Sequence, residues 1–312
     1  MAKILIIKLG YSETIDPGIG KVTSLGDVLR TTVILYPFAG DHVTWLVDEQ
    51  AYPLLQGNPY IQRILPYDLS SVLQLQHERF DAVINLEKVP GVCALADSVS
   101  AWRRYGFRFD EAHGVAEAYD GCEKVVSLCK DGDFKRTYKG SWQESLLQVV
   151  GAQWEGQEYI LGYQPKKTSE QFDVGLNWAV GSKWANKSWP VEKWDELKKR
   201  LSGKFSYSAQ EGMDDLRGYM DWINSCRLLV TNDSLGLHIA LALRKKVVVI
   251  YGPTNPNETH FYGRAEVLYP DTDYPCIPCL NRSCDQQINC MEFISVSAVL
   301  SAVTRLLEGD RN

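Results

Sequence analysis

The stretch between Cys226 and Thr254 constrains the fold more than any other part of the chain. A mostly apolar run over Arg227–Val230 predicts a buried strand, and a second run over Val247–Tyr251 predicts another. Between them, the polar residues 232–234 suit a helix N-cap, and a mostly apolar helical segment follows. Such a unit is a parallel crossover, and the helix start at the end of its first strand is where parallel sheets bind anions. We therefore predict a ligand site here.

Length and composition indicate an ordinary globular protein. The 312 residues suit two domains, and 45% hydrophobic with 23% charged residues is typical of soluble proteins. A net charge of -6 argues against a nucleic-acid partner. The apolar run at the amino terminus is too short for a secretory signal, and no run approaches the roughly 18 residues that span a bilayer. We expect a cytoplasmic protein that associates at most peripherally with the inner face of the membrane.

Strand and helix patterns alternate along both halves of the chain. This alternation predicts an α/β protein with two Rossmann-like, doubly wound parallel-sheet domains that face a cleft. The stretch 87–151 is less regular and yields only a strand near 102–106 and a helix over 142–150. We place the first domain at 1–161, a linker at 162–172 and the second domain at 173–312. The clearest predicted elements are strands at His42–Val47 and Ala82–Leu86 and helices at Glu49–Leu55, Val72–Glu78 and Val191–Leu201.

Several motifs in this order resemble glycosyltransferase family 9, the bacterial ADP-heptose:lipopolysaccharide heptosyltransferases, which have the two-domain GT-B fold. The resemblance spans nearly the whole chain, and the combination of motifs is more specific than any one of them. The motifs are the strand at 4–8, Ser24-Leu25-Gly26-Asp27, the strand at 43–47, Gly57-Asn58-Pro59, Lys187-Ser188-Trp189-Pro190, Thr231-Asn232-Asp233-Ser234 with His238, and Tyr251-Gly252-Pro253-Thr254.

The chain departs from the family pattern in three places. The loop at 10–23 is longer than usual in the family, and it is a candidate to shape an unusual acceptor site. Family members more often have a glycine where this chain has Leu235, which is followed by Gly236. The stretch 87–105 does not resemble the core-lipopolysaccharide enzymes, so the resemblance does not supply the acceptor.

The resemblance implies an inverting transfer of heptose from ADP-heptose to a lipopolysaccharide or other glycan hydroxyl, without a catalytic metal. Such a reaction needs a base on the acceptor and stabilisation of the departing diphosphate. The family assigns the base to Asp27, although an aspartate at a helix start also suits a simple cap. Lys187 resembles the lysine that neutralises the diphosphate, and Ser182 or Lys183 matches its upstream phosphate contacts.

Further donor-binding candidates follow from the strand ends of the second domain. The helix that begins near Ser234 offers free backbone amides, and His238 lies one turn into it, where a buried core histidine is the alternative. The predicted donor-binding residues in these loops are Gln210, Glu211, Met213, Asp233, Ser234, Leu235, Gly236 and His238, with Asp214 beside Met213. On the acceptor side, three cations are candidates for binding an acidic acceptor: Lys88, Arg103 and Arg104.

Four of the eight cysteines lie close together in sequence. Cys276, Cys279, Cys284 and Cys290 define what we call the four-Cys segment, residues 276–290. In a reducing compartment such a cluster indicates a metal more readily than disulfides. Four thiolates suit a structural zinc, iron or iron-sulfur centre, and free thiols are the alternative.

Other functions are less compatible with the motifs. No Gly-x-Gly-x-x-Gly follows the first strand, which argues against a nicotinamide-dependent oxidoreductase. Gly20-Lys21 lacks the upstream glycine of a phosphate loop, which argues against a kinase-like ATPase. A transferase of the same fold with another nucleotide sugar or a protein acceptor stays open, as does a non-catalytic sugar-nucleotide or metal-binding module.

Overall fold

The computed structural model describes residues 1–11, 22–165, 170–212 and 215–309. The chain divides into two compact units, Met1–Tyr163 and Gln164–Asn312. This division lies within the predicted linker, and the first strand of the second unit begins at Phe172, the last linker residue. Most of the long loop at 10–23 lies outside the described residues.

The first unit is built on a sheet whose strands are parallel except at one edge. Along β1, four consecutive residues are buried, which shows that helices or loops cover both faces of the sheet. Within the described residues the order is β3-β2-β1-β4-β5-β6, and only the β5 to β6 pairing is antiparallel. The strands are β1 Lys3–Ile7, β2 His42–Val47, β3 Arg63–Pro66, β4 Arg79–Asn85, β5 Ser100–Asp110 and β6 Val115–Ala118.

The helices of the first unit begin at identifiable caps. Asp68 accepts a hydrogen bond from Ser71 N at 2.7 Å, so α3 starts at Leu69, earlier than the predicted Val72. The predicted helix at Glu49–Leu55 is a 3-10 turn followed by α2, because Pro53 occupies the first turn of α2. The helices are α1 Leu25–Thr31, α2 Tyr52–Leu55, α3 Leu69–Leu75, α4 Pro90–Ser98, α5 Glu123–Lys130, α6 Gly132–Thr137 and α7 Trp142–Val149, with 3-10 helices at Thr32–Phe38 and Glu49–Ala51.

The stretch 87–151 is more regular than the sequence indicated. It contains α4, the long strand β5, β6 and the helices α5 to α7. Strand β5 carries exposed residues such as Trp102, with 87% of its surface accessible, among half-buried ones, so it lacks a clear apolar alternation. A pattern-based prediction therefore found only part of β5.

The second unit has a fully parallel sheet within the described residues. Its order is β11-β10-β9-β7-β8, and buried residues run continuously from Leu228 to Asn232 at the end of β9. The strands are β7 Phe172–Asn177, β8 Tyr207–Ala209, β9 Cys226–Asn232, β10 Lys246–Ile250 and β11 Ala265–Leu268. The helices are α8 Val191–Leu201, α9 Leu216–Asn224, α10 Leu235–Ala242 and α11 Val296–Glu308, with 3-10 helices at Ser182–Lys187, Pro256–Glu258 and Cys290–Phe293.

Two tryptophans anchor the core of the second unit. Trp189 and Trp194 are almost fully buried and pack edge to face, with ring centroids 5.1 Å apart. The Trp189 indole donates to Ile294 O at 3.1 Å, so the start of α8 is held against the segment that precedes α11. The predicted α/β class with two Rossmann-like parallel sheets is confirmed. Among the described helices, none has the length and apolar character required to cross a bilayer.

Candidate active site

Three polar residues that follow neighbouring strands of the second unit meet at one point. Lys187 lies beyond β7, Asp233 directly follows β9, and Thr254 lies beyond β10. Lys187 Nζ lies 2.6 Å from Asp233 Oδ2, and Thr254 Oγ1 donates to the same oxygen at 2.7 Å. The carboxyl ends of parallel strands share one edge of the sheet, which is why residues far apart in sequence converge here. We call these three residues the Lys187 cluster.

The surroundings of the Lys187 cluster favour the ionised form of Asp233. Burial would raise the pKa of Asp233, but the positive charges of Lys187 and His238 and hydrogen bonds from Lys187 and Thr254 lower it to about 2. The Lys187 ammonium also lies 4.9 Å from the centre of the Trp184 ring, a cation-π distance. Asp233 therefore fixes the direction of the lysine, and the ammonium retains further N–H donors for a ligand.

Helix α10 starts beside this cluster. Ser234 is the N-cap, with extended backbone, but its side chain makes no cap hydrogen bond. Instead Ser234 Oγ accepts from Asn177 Nδ2 at 3.0 Å and lies 3.3 Å from Thr231 Oγ1, to which it can donate because the Thr231 hydroxyl itself donates to Asn232 O. The first amides of a helix have no acceptor within it, and the helix dipole places positive potential at this end. The start of α10 can therefore hold an anion.

Gly236 is required where it stands, which accounts for the Leu235-Gly236 order. Tyr219 Oη donates to Asn177 Oδ1 at 2.8 Å, and this buried pair lies directly against Gly236. A Cβ at Gly236 would overlap the Asn177 amide and lie 2.6 Å from Tyr219 Oη. The glycine thus serves the packing of α10 on the sheet, and Leu235 occupies the helix position before it.

The remaining donor-binding candidates lie in different surroundings. His238 is buried in α10, close enough to Asp233 to lower its pKa, and Lys183 is buried in the 3-10 helix that begins at Ser182. Gln210 directly follows β8 and is 6% exposed, whereas Glu211 is exposed. Met213 and Asp214 lie outside the described residues.

Gln210 has an open hydrogen-bonding position. Its Oε1 atom is buried and has no hydrogen-bond partner among the described residues. Its backbone carbonyl accepts from the indole of Trp178 at 2.8 Å, and that ring stays 40% exposed at the end of β7. An exposed aromatic face beside an unsatisfied acceptor suits a flat ligand that carries an amino group.

Asp27 in the first unit also has one unsatisfied oxygen. The residue is 6% exposed in the first turn of α1, and the N-cap of that helix is Ser24. Asp27 Oδ1 pairs with Arg30 Nη2 at 2.9 Å, and the guanidinium stacks 5.0 Å from the centre of the Trp142 ring. Asp27 Oδ2 is buried without a hydrogen-bond partner in the described chain. Asp27 therefore does not cap α1 with its side chain, and its role as the base stays a prediction.

The three acceptor-side cations have structural contacts of their own. Lys88 Nζ donates to Cys129 O at 2.7 Å. The Arg104 guanidinium donates to Val99 O at 2.6 Å and to further carbonyls at the end of α4 and the start of β5. Arg103 is exposed on β5. Their role in acceptor binding stays a prediction.

The four-Cys segment brings its thiols near one another without forming a complete ligand set. Cys276, Cys279 and Cys284 are half-buried, and Cys290 is buried. Burial, followed by the neighbouring thiols, raises the pKa of Cys290 to about 11. In residues 1–11, 22–165, 170–212 and 215–309, however, no three His, Cys, Asp or Glu side chains are arranged to hold a metal ion. The predicted metal site is therefore not shown by this arrangement.

Comparison with known proteins identifies the kind of enzyme. Residues 212–288, which include the start of α10 and most of the four-Cys segment, match the model of glycosyltransferase family 9 (heptosyltransferase). The chain is 24% identical to lipopolysaccharide heptosyltransferase 1 of Pseudomonas aeruginosa, with 86% of each chain covered. It superposes on the Escherichia coli heptosyltransferase WaaC with ADP at a TM-score of 0.64 and 17% identity. The superposition covers 97% of this chain and 99% of WaaC. The chain is a glycosyltransferase that is similar to family 9.

The same fold recurs in a relative that holds a metal. The iron-containing dodecameric glycosyltransferase TibC from enterotoxigenic Escherichia coli superposes on this glycosyltransferase with a TM-score of 0.62 and 13% identity. The superposition covers 100% of this chain and 77% of TibC. Together these superpositions confirm the GT-B fold that the sequence resemblance implied.

Sequence reasoning missed several residues that shape the site of this family 9-like glycosyltransferase. Thr254 was named only as part of the motif Tyr251-Gly252-Pro253-Thr254, without a role, although a hydroxyl after the neighbouring parallel strand is a signal that could have found it. Arg30 could have been found from its position one turn after Asp27. Trp178 and Asn177 depend on the pairing of β7 with β8 and β9, which the sequence alone does not establish.

We expect the Asp233 carboxylate to contribute stability that acid removes. Folding lowers the pKa of Asp233 from 3.8 to about 2, so the folded state favours the carboxylate. Its contribution, about 2 kcal/mol, is complete above the unfolded pKa and is lost as the pH falls through 3.8 towards 2. Urea unfolding of wild type and Asp233→Asn should therefore differ by about 2 kcal/mol more near pH 6 than near pH 2.

A surface carboxylate provides the matched control. Asp195 pairs with Lys198 on α8 and is 56% exposed, and exposed pairs contribute little to stability. Asp195→Asn should therefore lose the same amount of stability as the wild type when the pH falls from about 6 to about 2. We call this loss of stability the acid limb. A constant difference between wild type and Asp233→Asn across the whole pH range would contradict the proposed ionised pair.

Proposed function

We propose that this enzyme transfers a heptose from ADP-heptose to a hydroxyl of lipopolysaccharide or another glycan, with inversion at the transferred carbon. The single observation that carries this proposal is the Lys187 cluster at the start of α10. A lysine held by Asp233, a polar N-cap and the first backbone amides of a helix together suit a diphosphate. The named activities of the relatives, lipopolysaccharide heptosyltransferase 1 and WaaC with ADP, support heptose and ADP as the donor parts.

The proposed reaction balances with one base and one anion site. The acceptor oxygen forms a bond to the anomeric carbon as the bond from that carbon to the diphosphate oxygen breaks. The hydroxyl proton moves to Asp27 Oδ2, and the bonding electron pair leaves with ADP. Lys187, the α10 amides and Ser234 stabilise the charge that develops on the diphosphate. A single carboxylate is sufficient because the diphosphate leaves as a stabilised anion and needs no proton from a second acid, and attack from the face opposite the leaving group gives inversion.

The position of Asp27 explains how a weak base could serve. Arg30 pairs with Oδ1, and the positive potential at the helix N-terminus favours the carboxylate form, which makes Asp27 a weak base. Weak basicity is tolerable when the sugar carbon has already become strongly electron-deficient as the diphosphate departs. The buried, unsatisfied Oδ2 is then the oxygen that receives the acceptor proton.

The adenine base is proposed to lie over the ends of β7 and β8. The exposed face of Trp178 can stack on a base, and the buried Gln210 Oε1 can accept from an exocyclic amino group. Uracil and thymine have no such amino group. This arrangement therefore favours ADP-linked over UDP- or dTDP-linked sugars. A lipid-linked acceptor would place the reaction at the inner face of the membrane.

The donor proposal is tested by thermal shift and calorimetry with ADP-, GDP-, UDP- and dTDP-linked sugars. We expect a clear preference for the ADP-linked sugar and a loss of affinity of about tenfold or more in Lys187→Met, because the diphosphate loses a charge-assisted contact. Lys193→Met, at a lysine that donates to main-chain carbonyls near α11, is the control and should bind normally. A preference for UDP or GDP would instead favour a different nucleotide sugar.

Replacement of the proposed base should separate chemistry from binding. Asp27→Asn keeps the shape of the side chain and removes its ability to take a proton, so kcat should fall about 100-fold or more while the ADP dissociation constant stays within about twofold. The measurement is transfer from ADP-heptose to a lipopolysaccharide acceptor, with ADP titrated in parallel. Transfer at the wild-type rate would remove Asp27 as the base.

Full ADP binding without turnover by the wild-type protein would favour a non-catalytic module. The acceptors to test are a glycan and a protein, because the sequence left both open. Transfer to the protein alone would replace the lipopolysaccharide acceptor in the proposal and would leave the roles of Asp27 and Lys187 unchanged.

We further propose that the four-Cys segment binds a structural iron or zinc ion outside the catalytic step. Burial raises the pKa of Cys279 and of Cys290, and the neighbouring thiols lie close enough to raise it further, so metal binding here would displace the thiol protons. Four thiolates suit tetrahedral iron or zinc, and TibC is described as iron-containing. Metal bound here would hold the chain between β11 and α11.

Metal analysis of protein purified without oxygen tests this site. We expect about one iron or zinc per chain, and loss of that metal together with a lower unfolding temperature in Cys284→Ser. Cys226→Ser, at a buried thiol under β7, is the control and should keep its metal. Wild-type protein without bound metal under these conditions would contradict the proposal.

A further inference from the structure

Asn186 directly precedes Lys187, and the hydrogen bonds that the structure describes for its side chain all go to the four-Cys segment. The residue is 6% exposed. Its Nδ2 donates to Asn281 O at 3.2 Å and lies 3.9 Å from Cys279 Sγ, while its Oδ1 accepts from Asn289 Nδ2 at 2.8 Å. Both ends of the amide are therefore used. They join two parts of the segment, one beside Cys279 and one before Cys290.

The backbone that carries Lys187 has little internal support. It is a short 3-10 helix, Ser182–Lys187, interrupted at Trp184, where φ is -135° and ψ is 52°. Such helices have poor hydrogen-bond geometry and rarely hold their shape alone. On the far side of Lys187, Trp189 N donates to Asn232 Oδ1 at 3.1 Å. In the described part of the chain, the backbone on either side of Lys187 is thus attached to other segments at Asn186 and at Trp189, in addition to the pairing of Lys187 itself with Asp233.

The four-Cys segment also contacts the other side of the Lys187 cluster. Leu280 N donates to Pro253 O at 2.8 Å, next to Thr254, which holds Asp233. Gly252 packs so closely on the segment that a Cβ there would overlap Met291 and lie 3.2 Å from Cys290 Sγ. One segment therefore supports both the lysine and the threonine that converge on Asp233.

We propose that Asn186 is a positioning residue through which the four-Cys segment holds Lys187 in place for the donor diphosphate. This inference rests on the proposed function for its ligand, but the geometry it concerns is the Lys187–Asp233 pair itself. The segment thereby controls donor affinity without touching the sugar or the phosphate. A change in the segment reaches the donor site through Asn186 on one side and Pro253 on the other.

Asn186→Ala tests the inference with two independent measurements. Calorimetry with ADP should show about tenfold weaker binding, because a displaced ammonium loses its contact with the diphosphate. Urea unfolding should also show a smaller effect of Asp233→Asn. In the wild-type background this substitution changes the stability difference between about pH 6 and about pH 2 by about 2 kcal/mol. In the Asn186→Ala background the change should be smaller, because the Lys187–Asp233 pair is no longer held in place. The second measurement needs no ligand, so it decides the positioning role even if wild-type protein binds no ADP.

Asn58→Ala is the matched control. Asn58 is 4% exposed, and its amide similarly donates to Ile160 O and accepts from Tyr60 N, but it lies in the first unit. Its replacement should lower stability to a similar extent while ADP affinity and the Asp233-dependent acid limb stay unchanged. An equal effect of Asn58→Ala on either measurement would indicate general destabilisation and would overturn the inference.

Asn289→Ala provides a second variant that leaves Asn186 itself in place. It removes the donor to Asn186 Oδ1, so it should weaken ADP binding in the same direction. The double variant should lose less affinity than the sum of the two single losses, because both act on one contact. An unchanged acid limb in Asn186→Ala overturns the inference. Failure of wild-type protein to bind ADP counts against the donor proposal alone.

Discussion

The Lys187–Asp233 ion pair is the interaction on which the site in the second unit depends. A largely buried pair of this kind is unfavourable unless its charges are satisfied by further contacts. Here Thr254 bonds the carboxylate, His238 adds positive potential, and the Trp184 ring faces the ammonium. These contacts come from the segments that follow three neighbouring parallel strands, so the sheet order is what makes the pair possible. The pair in turn holds a cation beside the start of α10.

The two units supply chemically opposite halves of the proposed reaction. The second unit offers a lysine and helix amides, which suit a leaving diphosphate. The first unit offers Asp27, a buried carboxylate with one oxygen held by Arg30 and the other without a hydrogen-bond partner among the residues that the structure describes. An unsatisfied buried acceptor is costly in a folded protein, and such groups are often retained for ligand binding or catalysis. This asymmetry of the carboxylate gives a physical reason to expect a proton acceptor at Asp27.

Sequence patterns predicted the regular parts of the fold well and the contacts of the site incompletely. Strand β2 and helix α8 have the predicted bounds, His42–Val47 and Val191–Leu201, because their apolar periodicity is uninterrupted. Strand β5 was found only in part, since exposed side chains along it mask its pattern. The bond between Thr254 and Asp233 requires β10 to lie beside β9, and the support of Lys187 by Asn186 requires the path of the four-Cys segment. Neither is encoded in local periodicity.

A structure of the complex with ADP would test the central claim most directly. The account predicts that a phosphate oxygen lies within hydrogen-bond distance, about 2.7 to 3.2 Å, of Lys187 Nζ and of a backbone amide in the first turn of α10. It also predicts that Asp233 keeps its contacts with Thr254 and with Lys187 when ADP is bound. A diphosphate bound elsewhere, with the Lys187–Asp233 pair fully covered by protein side chains, would contradict the account.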